Sequence, residues 1–284
     1  MKCTSLLIIL SFACSVAVQT PSFAAAPTAN EAVPGLLPSS RISPSVDKIV
    51  ARSLETFYYA GEDQRTRVSM RLINSQGKER KRVMTLLRKD LGTSGEQRYY
   101  IYFHEPSDVK GTAFMVWKYP AREDDRWIFI PAIKLVRRIA ADDKRSSFVG
   151  SDFTYEDVSG RDLEDETHNL LGEETLGGRP VFKIESAPQA KVEYVRRLSW
   201  IDRERGLPLK EEYYDARGEL LRTFSADEVR EVDGHWTATR RTMHDAQSGH
   251  RTEVVFDEVN YDVGLGEDLF SERYLRRPPG QWVR

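Results

Sequence analysis

The chain has 284 residues, 40% of them hydrophobic and 30% charged, with a formal net charge of −2. That is globular composition, long enough for one large β domain or two smaller ones, and it excludes disorder over the whole length. The near-neutral balance lends nothing to a nucleic-acid partner.

The chain opens on Met1-Lys2, an apolar run over 6–18 and the small-residue site Ser22-Phe23-Ala24. This pattern predicts a cleaved secretory signal over 1–24, because the run is too short for a membrane anchor of about 20 apolar residues. The rival is a lipidated Cys14, which Ser11-Phe12-Ala13 fits poorly. Both cysteines, Cys3 and Cys14, lie inside the signal, so the mature chain is expected to carry no disulfide and no thiol chemistry. Export to the bacterial periplasm follows as the expected location. Residues 25–44, rich in Pro, Ala and Ser, read as a flexible leader.

From Ser45 the pattern is helical, with Val46, Ile49, Val50, Leu54 and Phe57 on one stripe and Asp47 in the first turn. After Gly61 it becomes β. RVSMRLI (67–73), RVMTLL (82–87), RYYIYF (98–103), TAFMVWKY (112–119) and RWIFI (126–130) are short, aromatic or β-branched, and bounded by turn residues. The second half repeats this in PVFKIES (180–186), VEYVRRLSWI (192–201), LPLKEEYY (207–214), ELLRTFSADEV (219–229), HWTATRRTM (235–243) and TEVVFDEVNY (252–261). The turns LGGR, DRERG, DARG, VDG and DAQSG separate them. The expectation is a mainly β fold, a curled antiparallel sheet of about ten or eleven strands tending toward a barrel or half-barrel, with a few helices, forming one domain over 45–276. LGEDLFSERYL (265–275) reads as a closing helix and 277–284 as a coil tail.

No catalytic motif stands out: there is no G-x-S-x-G, no H-E-x-x-H and no glycine-rich phosphate loop. The expectation is therefore no enzyme, no cofactor and no metal. His244 and His250 flank a turn, and two imidazoles alone make a weak metal site. In GSDFTYEDV (150–158), Asp152, Glu156 and Asp157 are either a carboxylate or cation site, or acids near one helical turn capped by Ser151 or Asp152. The missing base and missing second ligand cluster favour the turn. DLEDE (162–166) reads as a solvated loop. The strand aromatics suit core packing or an apolar pocket wall.

The runs YPAREDDRWIFIPAIKLVRRI, SSFVGSDFTYEDV and LLGEETLGGRPVFKIE together resemble the longer members of the LolA-like outer-membrane lipoprotein-sorting family. Trp127, Pro131, Arg137, Arg138, Gly150, Asp152, Phe153, Tyr155 and Asp157 occupy the positions that carry the likeness. The resemblance implies helices covering the open side of a half-barrel whose cavity takes the acyl chains of a lipid or lipoprotein. It also implies an inner-membrane lipid exporter as donor and an outer-membrane acceptor. Two roles are open: a carrier, or a sensor of the same fold that regulates a membrane partner.

On that outline Val68, Met70 and Leu72 form one face of the first strand. Met115 with Trp117, and Trp127 with Phe129, are same-face pairs, and these residues with Leu135 are expected to line the cavity. Arg137, Arg138, Asp152, Phe153, Tyr155 and Asp157 are expected at its rim or lid. Because Arg137 and Arg138 alternate, one is expected outside. The other is expected inside, paired with Asp152, Glu156 or Asp157.

Overall fold

A computed structural model of the chain describes residues 44–92, 95–120 and 122–284. The signal and almost all of the leader therefore lie outside the described residues.

Helix α1 (Val46–Tyr58) forms where the apolar stripe predicts it, with Ser45 at its N-cap. It buries Ile49 and Val50 against Phe182, Ile184 and Ile201, each worth roughly 1.5–3 kcal/mol of transfer free energy.

The strands are β1 (Asp63–Ile73), β2 (Glu79–Asp90), β3 (Gln97–Glu105), β4 (Ala113–Lys118), β5 (Asp125–Ile130), β6 (Leu135–Ile139), β7 (Glu166–Leu176), β8 (Arg179–Pro188), β9 (Arg196–Asp202), β10 (Pro208–Tyr214), β11 (Leu220–Val232), β12 (His235–Asp245) and β13 (Arg251–Tyr261). They make one 13-stranded sheet in the order β6-β5-β4-β3-β2-β1-β13-β12-β11-β10-β9-β8-β7. Every pairing is antiparallel. The architecture is the expected mainly β one, with more strands than the expected ten or eleven. The sheet is two meanders joined where β1 pairs with β13, and β6 and β7 are its edges. Residues 140–165 connect those two edges and contain α2 (Tyr155–Ser159).

That connection shows that the sheet is curled. β4 and β11 stand six strand steps apart in the order, which in a flat sheet at about 4.8 Å per step is about 29 Å. Yet Tyr155 packs 5.1 Å from the ring of Phe114 on β4, and Asp157, two residues on, meets Arg222 of β11 at 2.7 Å. The sheet wraps around the segment between them. Register shifts at Arg67/Val68, Ala226/Glu228 and Leu170/Gly172 add the bending that bulges supply.

The two faces have different covers. The concave face carries Val68, Met70, Met84, Ile101, Phe114 and Val254, closed over by Phe148, Phe153 and Tyr155 of the connection. Over β2–β6, the convex face carries Leu87, Tyr100 and Met115, closed over by Leu265, Phe270, Leu275 and Val283. The C-terminal segment is tied down by polar contacts as well. The Asp63 carboxylate accepts from the backbone N–H of Val263 and of Leu265, both at 2.7 Å. Trp117 Nε1 donates to the Phe270 carbonyl at 2.8 Å.

The expected single helix over 265–275 is instead a 3-10 turn at Glu267–Leu269 followed by α3 (Glu272–Arg276). The expected coil tail holds α4 (Gly280–Val283), with Val283 buried. Arg65 fixes that end by donating to the carbonyls of Trp282 and Arg284.

Candidate functional site

The concave face holds an apolar cavity of about 80 Å³ bordered by β1, β2, β3, β12 and β13, by α1 and by the connection. Val68 and Met70 of the first predicted face line it, with Phe153 and Asp157 from the connection. Leu72 is buried in the same cluster without bordering the void. Sequence reasoning missed Phe57, Met84, Ile101, Phe148 and Phe256, which complete the wall. The helical stripe was the available signal for Phe57.

Met115, Trp117, Trp127 and Phe129 do not face this cavity. They stand on the opposite face, under the C-terminal segment, while their neighbours Phe114, Val116 and Ile128 point inward. The reason is that β4 and β5 are covered on both sides, so both alternate sets are apolar. Leu135 lies on edge strand β6 and is 46% exposed, because no strand pairs beyond it.

Arg137 and Arg138 also depart from expectation. Arg138 stands beside Trp127 across the ladder and pairs with Asp125, its side chain 67% exposed. Arg137, opposite Ile128, is exposed and meets no carboxylate among the described residues. An edge strand leaves both long side chains in water, so neither is buried against the connection. Arg137→Gln and Arg138→Gln are each expected to melt within about 1 kcal/mol of the parent; a larger loss in a thermal melt at either position would contradict this placement.

The acid expected to meet them does something else. Thr154 caps α2: its hydroxyl accepts from the Asp157 N–H at 3.1 Å, and Asp157 Oδ2 accepts from the Thr154 N–H at 2.8 Å. This is a reciprocal capping box, at Thr154 rather than at Ser151 or Asp152. Ser151 donates to the Phe148 carbonyl at 2.8 Å, and Thr252 donates to the Asp152 carboxylate at 2.7 Å. Both Asp157 oxygens are also taken by arginines, Arg161 on Oδ1 and Arg222 of β11 on Oδ2. Burial alone would raise the Asp157 carboxyl, but Arg222 and Arg161 hold it down at about 2.

A second buried pair extends this network. Glu166, expected in a solvated loop, opens β7 and binds Arg197 of β9 and the Tyr194 hydroxyl, the latter at 2.7 Å. Burial again opposes ionisation, and Arg197 and Arg161 bring the Glu166 carboxyl to about 2. Arg197 also reaches Glu211 of β10, which accepts from the Tyr213 hydroxyl at 2.6 Å. The connection is thus pinned by apolar rings over one half of the concave face and by ion pairs over the other. Gly160, just past α2, makes the close approach to α1 possible. Its φ is +89°, and a Cβ there would lie 2.5 Å from the Tyr59 hydroxyl.

No nucleophile–base pair lines the cavity. What the arrangement offers is apolar surface under a cover from the chain itself, with a few internal charges, which suits binding.

A family model described as an uncharacterized protein matches residues 95–277. No curated protein matches the chain. Among solved structures, an outer membrane lipoprotein-sorting protein domain from Vibrio parahaemolyticus is 31% identical, with a TM-score of 0.74 over 80% of this chain and 97% of that one. A DUF1329 family protein from Desulfovibrio piger is 28% identical, with a TM-score of 0.75 over 81% and 97%. A LolA superfamily protein from Nitrosomonas europaea shares the fold at 20% identity, with a TM-score of 0.65 over 82% and 100%.

Proposed function

Because the chain belongs to the LolA-like outer-membrane lipoprotein-sorting family, we propose that it is a non-enzymatic periplasmic carrier that shields acyl chains of a lipid or lipoprotein on their way to the outer membrane. The observation that carries this reading is a concave apolar face filled by a segment of the chain itself. Phe148, Phe153 and Tyr155 lie on that face where a ligand chain would lie.

The energetics fit the task. Holding a sixteen-carbon chain in water costs on the order of 12 kcal/mol, at about 0.8 kcal/mol per methylene. The remaining void of about 80 Å³ is smaller than the ~150 Å³ at which a dry apolar cavity admits benzene. On this reading a long chain enters as the 146–158 segment moves aside. On leaving, the segment re-covers the face, so apolar surface is never left bare and release is not penalised by the full transfer free energy. Regulation of a membrane partner is the alternative use of the same face.

Titration of the purified protein with a fluorescent long-chain fatty acid tests the reading. Binding should be saturable, and Met70→Asp, which puts a carboxylate on the cavity wall, should weaken it by at least about a hundredfold at unchanged fold, since an unpaired charge in an apolar site costs several kcal/mol. Met70→Asp protein that is folded and binds the probe normally would remove the cavity from consideration. Transfer of bound lipid to acceptor vesicles separates a carrier from a regulator.

A further inference from the structure

Like Arg82, which stands opposite Met70 but does not border the cavity, Arg241 is a concave-face arginine that meets no carboxylate among the described residues. Its neighbours across the ladder are Ala226 on β11 and Val254 on β13, both apolar. Its guanidinium lies over two rings, 4.1 Å from the centre of Phe57 and 4.2 Å from that of Phe256. Nε donates to the Ala238 carbonyl at 3.0 Å. Among the described residues the side chain makes no other hydrogen bond and no ion pair, so four of its five N–H donors are uncommitted. Arg88, Arg161, Arg197 and Arg222, also on the inner side, each touch a carboxylate.

The position of this cation is as informative as its lack of an acid. Arg241 borders the apolar cavity and also a second, smaller void beside it, which Thr56, Trp236, Thr237 and Tyr261 line. Phe57, Tyr58 and Gln64 border both. An apolar chamber meets a polar one, and the guanidinium stands at the junction. Burial lowers the Arg241 pKa to about 10, against the opposing pull of Tyr58 and Tyr261, so the group is still charged at neutral pH. A charge in such a place gains most from an incoming anion, since ring faces stabilise it only in part.

We propose that Arg241 is the head-group site of the cavity, and that the ligand is a single-chain amphiphile with an anionic carboxylate or phosphate head, its tail in the chamber of Val68, Met70 and Phe153. The proposal rests on the carrier reading and adds to it the charge of the cargo.

The test compares three probes by calorimetry at pH 8 on the full mature chain: dodecanoate, dodecanol and acetate. Dodecanoate should bind about tenfold or more tighter than dodecanol, the gain expected of a charge-assisted contact, and acetate should not bind measurably. Arg241→Gln should erase the preference, bringing dodecanoate to the affinity of dodecanol, while Arg241→Lys should keep part of it. Equal affinity of the parent for dodecanoate and dodecanol would overturn the head-group site and leave the acyl carrier standing, a result that needs no variant to fold. Binding of neither would overturn both. A preference that survives in Arg241→Gln would place the anion elsewhere, and acetate binding as tightly as dodecanoate would make this a free-anion site.

Discussion

Asp157→Ala should lower the unfolding free energy by about 3–5 kcal/mol, the cost of removing one partner from a buried ion pair. The side chain has three roles at once. It accepts a hydrogen bond from the Thr154 N–H, and it takes Arg161 and Arg222, both buried, on its two oxygens. Deleting it leaves two guanidinium groups in place with less counter-charge. Thr154→Ala, which removes only the other half of the capping box, should cost about 1 kcal/mol. Urea unfolding at pH 7 measures both, and a loss below about 1 kcal/mol for Asp157→Ala would mean that the pair is not buried in solution. Acid should reproduce part of the effect. Asp157 and Glu166 sit at about 2 when folded and near 4 when unfolded. Their contribution is complete above about pH 5 and disappears as the pH falls through 4 toward 2. Asp90, Asp124 and Asp152 are raised by burial and work with the opposite sign, since they take up protons more readily folded than unfolded. The Asp157 share is therefore read as the difference between the parent and Asp157→Asn over that window.

The contrast between β1 and β4 explains what sequence could reveal here. RVSMRLI alternates because only one of its faces lies under a cover, and Val68, Met70 and Leu72 fall on the buried side as expected. AFMVW on β4, residues 113–117, is apolar throughout because the connection covers one face and the C-terminal segment the other. With both faces buried the period-two signal vanishes, and choosing Met115 and Trp117 over Phe114 and Val116 has no physical basis in the sequence. Strand β7 was missed for the opposite reason. ETHNLLGEETL is an edge strand, acidic and broken by Gly172, with little β-branched content. The tail RRPPGQWVR has coil composition, yet its Val283 is buried because Leu265, Phe270 and the underside of β2–β4 are there to receive it. The ion pairs were the least legible part. Asp157 and Arg222 are 65 residues apart, and only the curl of the sheet brings them together.

Phe148→Ala should destabilise the fold and yet tighten acyl binding. The Phe148 ring is 1% exposed and sits against Phe103, Phe114 and Tyr155 at 6.0, 5.5 and 5.5 Å. Truncating a buried Phe of this kind costs about 3–5 kcal/mol. If the connection is a cover that competes with the ligand for the concave face, part of that loss is removed from the covered state alone, and the bare face becomes easier to reach. Each 1.4 kcal/mol taken from the cover raises the apparent affinity of a ligand for the uncovered state by up to tenfold. Trp127→Ala is the comparison. Trp127 packs on Trp117 at 5.1 Å beneath the C-terminal segment, so its loss should lower the melting temperature without touching the competition. Melting curves and fluorescent fatty-acid titrations on the two variants separate a plug from a wall. Tighter binding in Phe148→Ala with an unchanged Trp127→Ala is the signature of a displaceable cover. Weaker binding in Phe148→Ala would make Phe148 a fixed part of the pocket wall, and the 146–158 segment would then be core, with entry to the cavity by some other route.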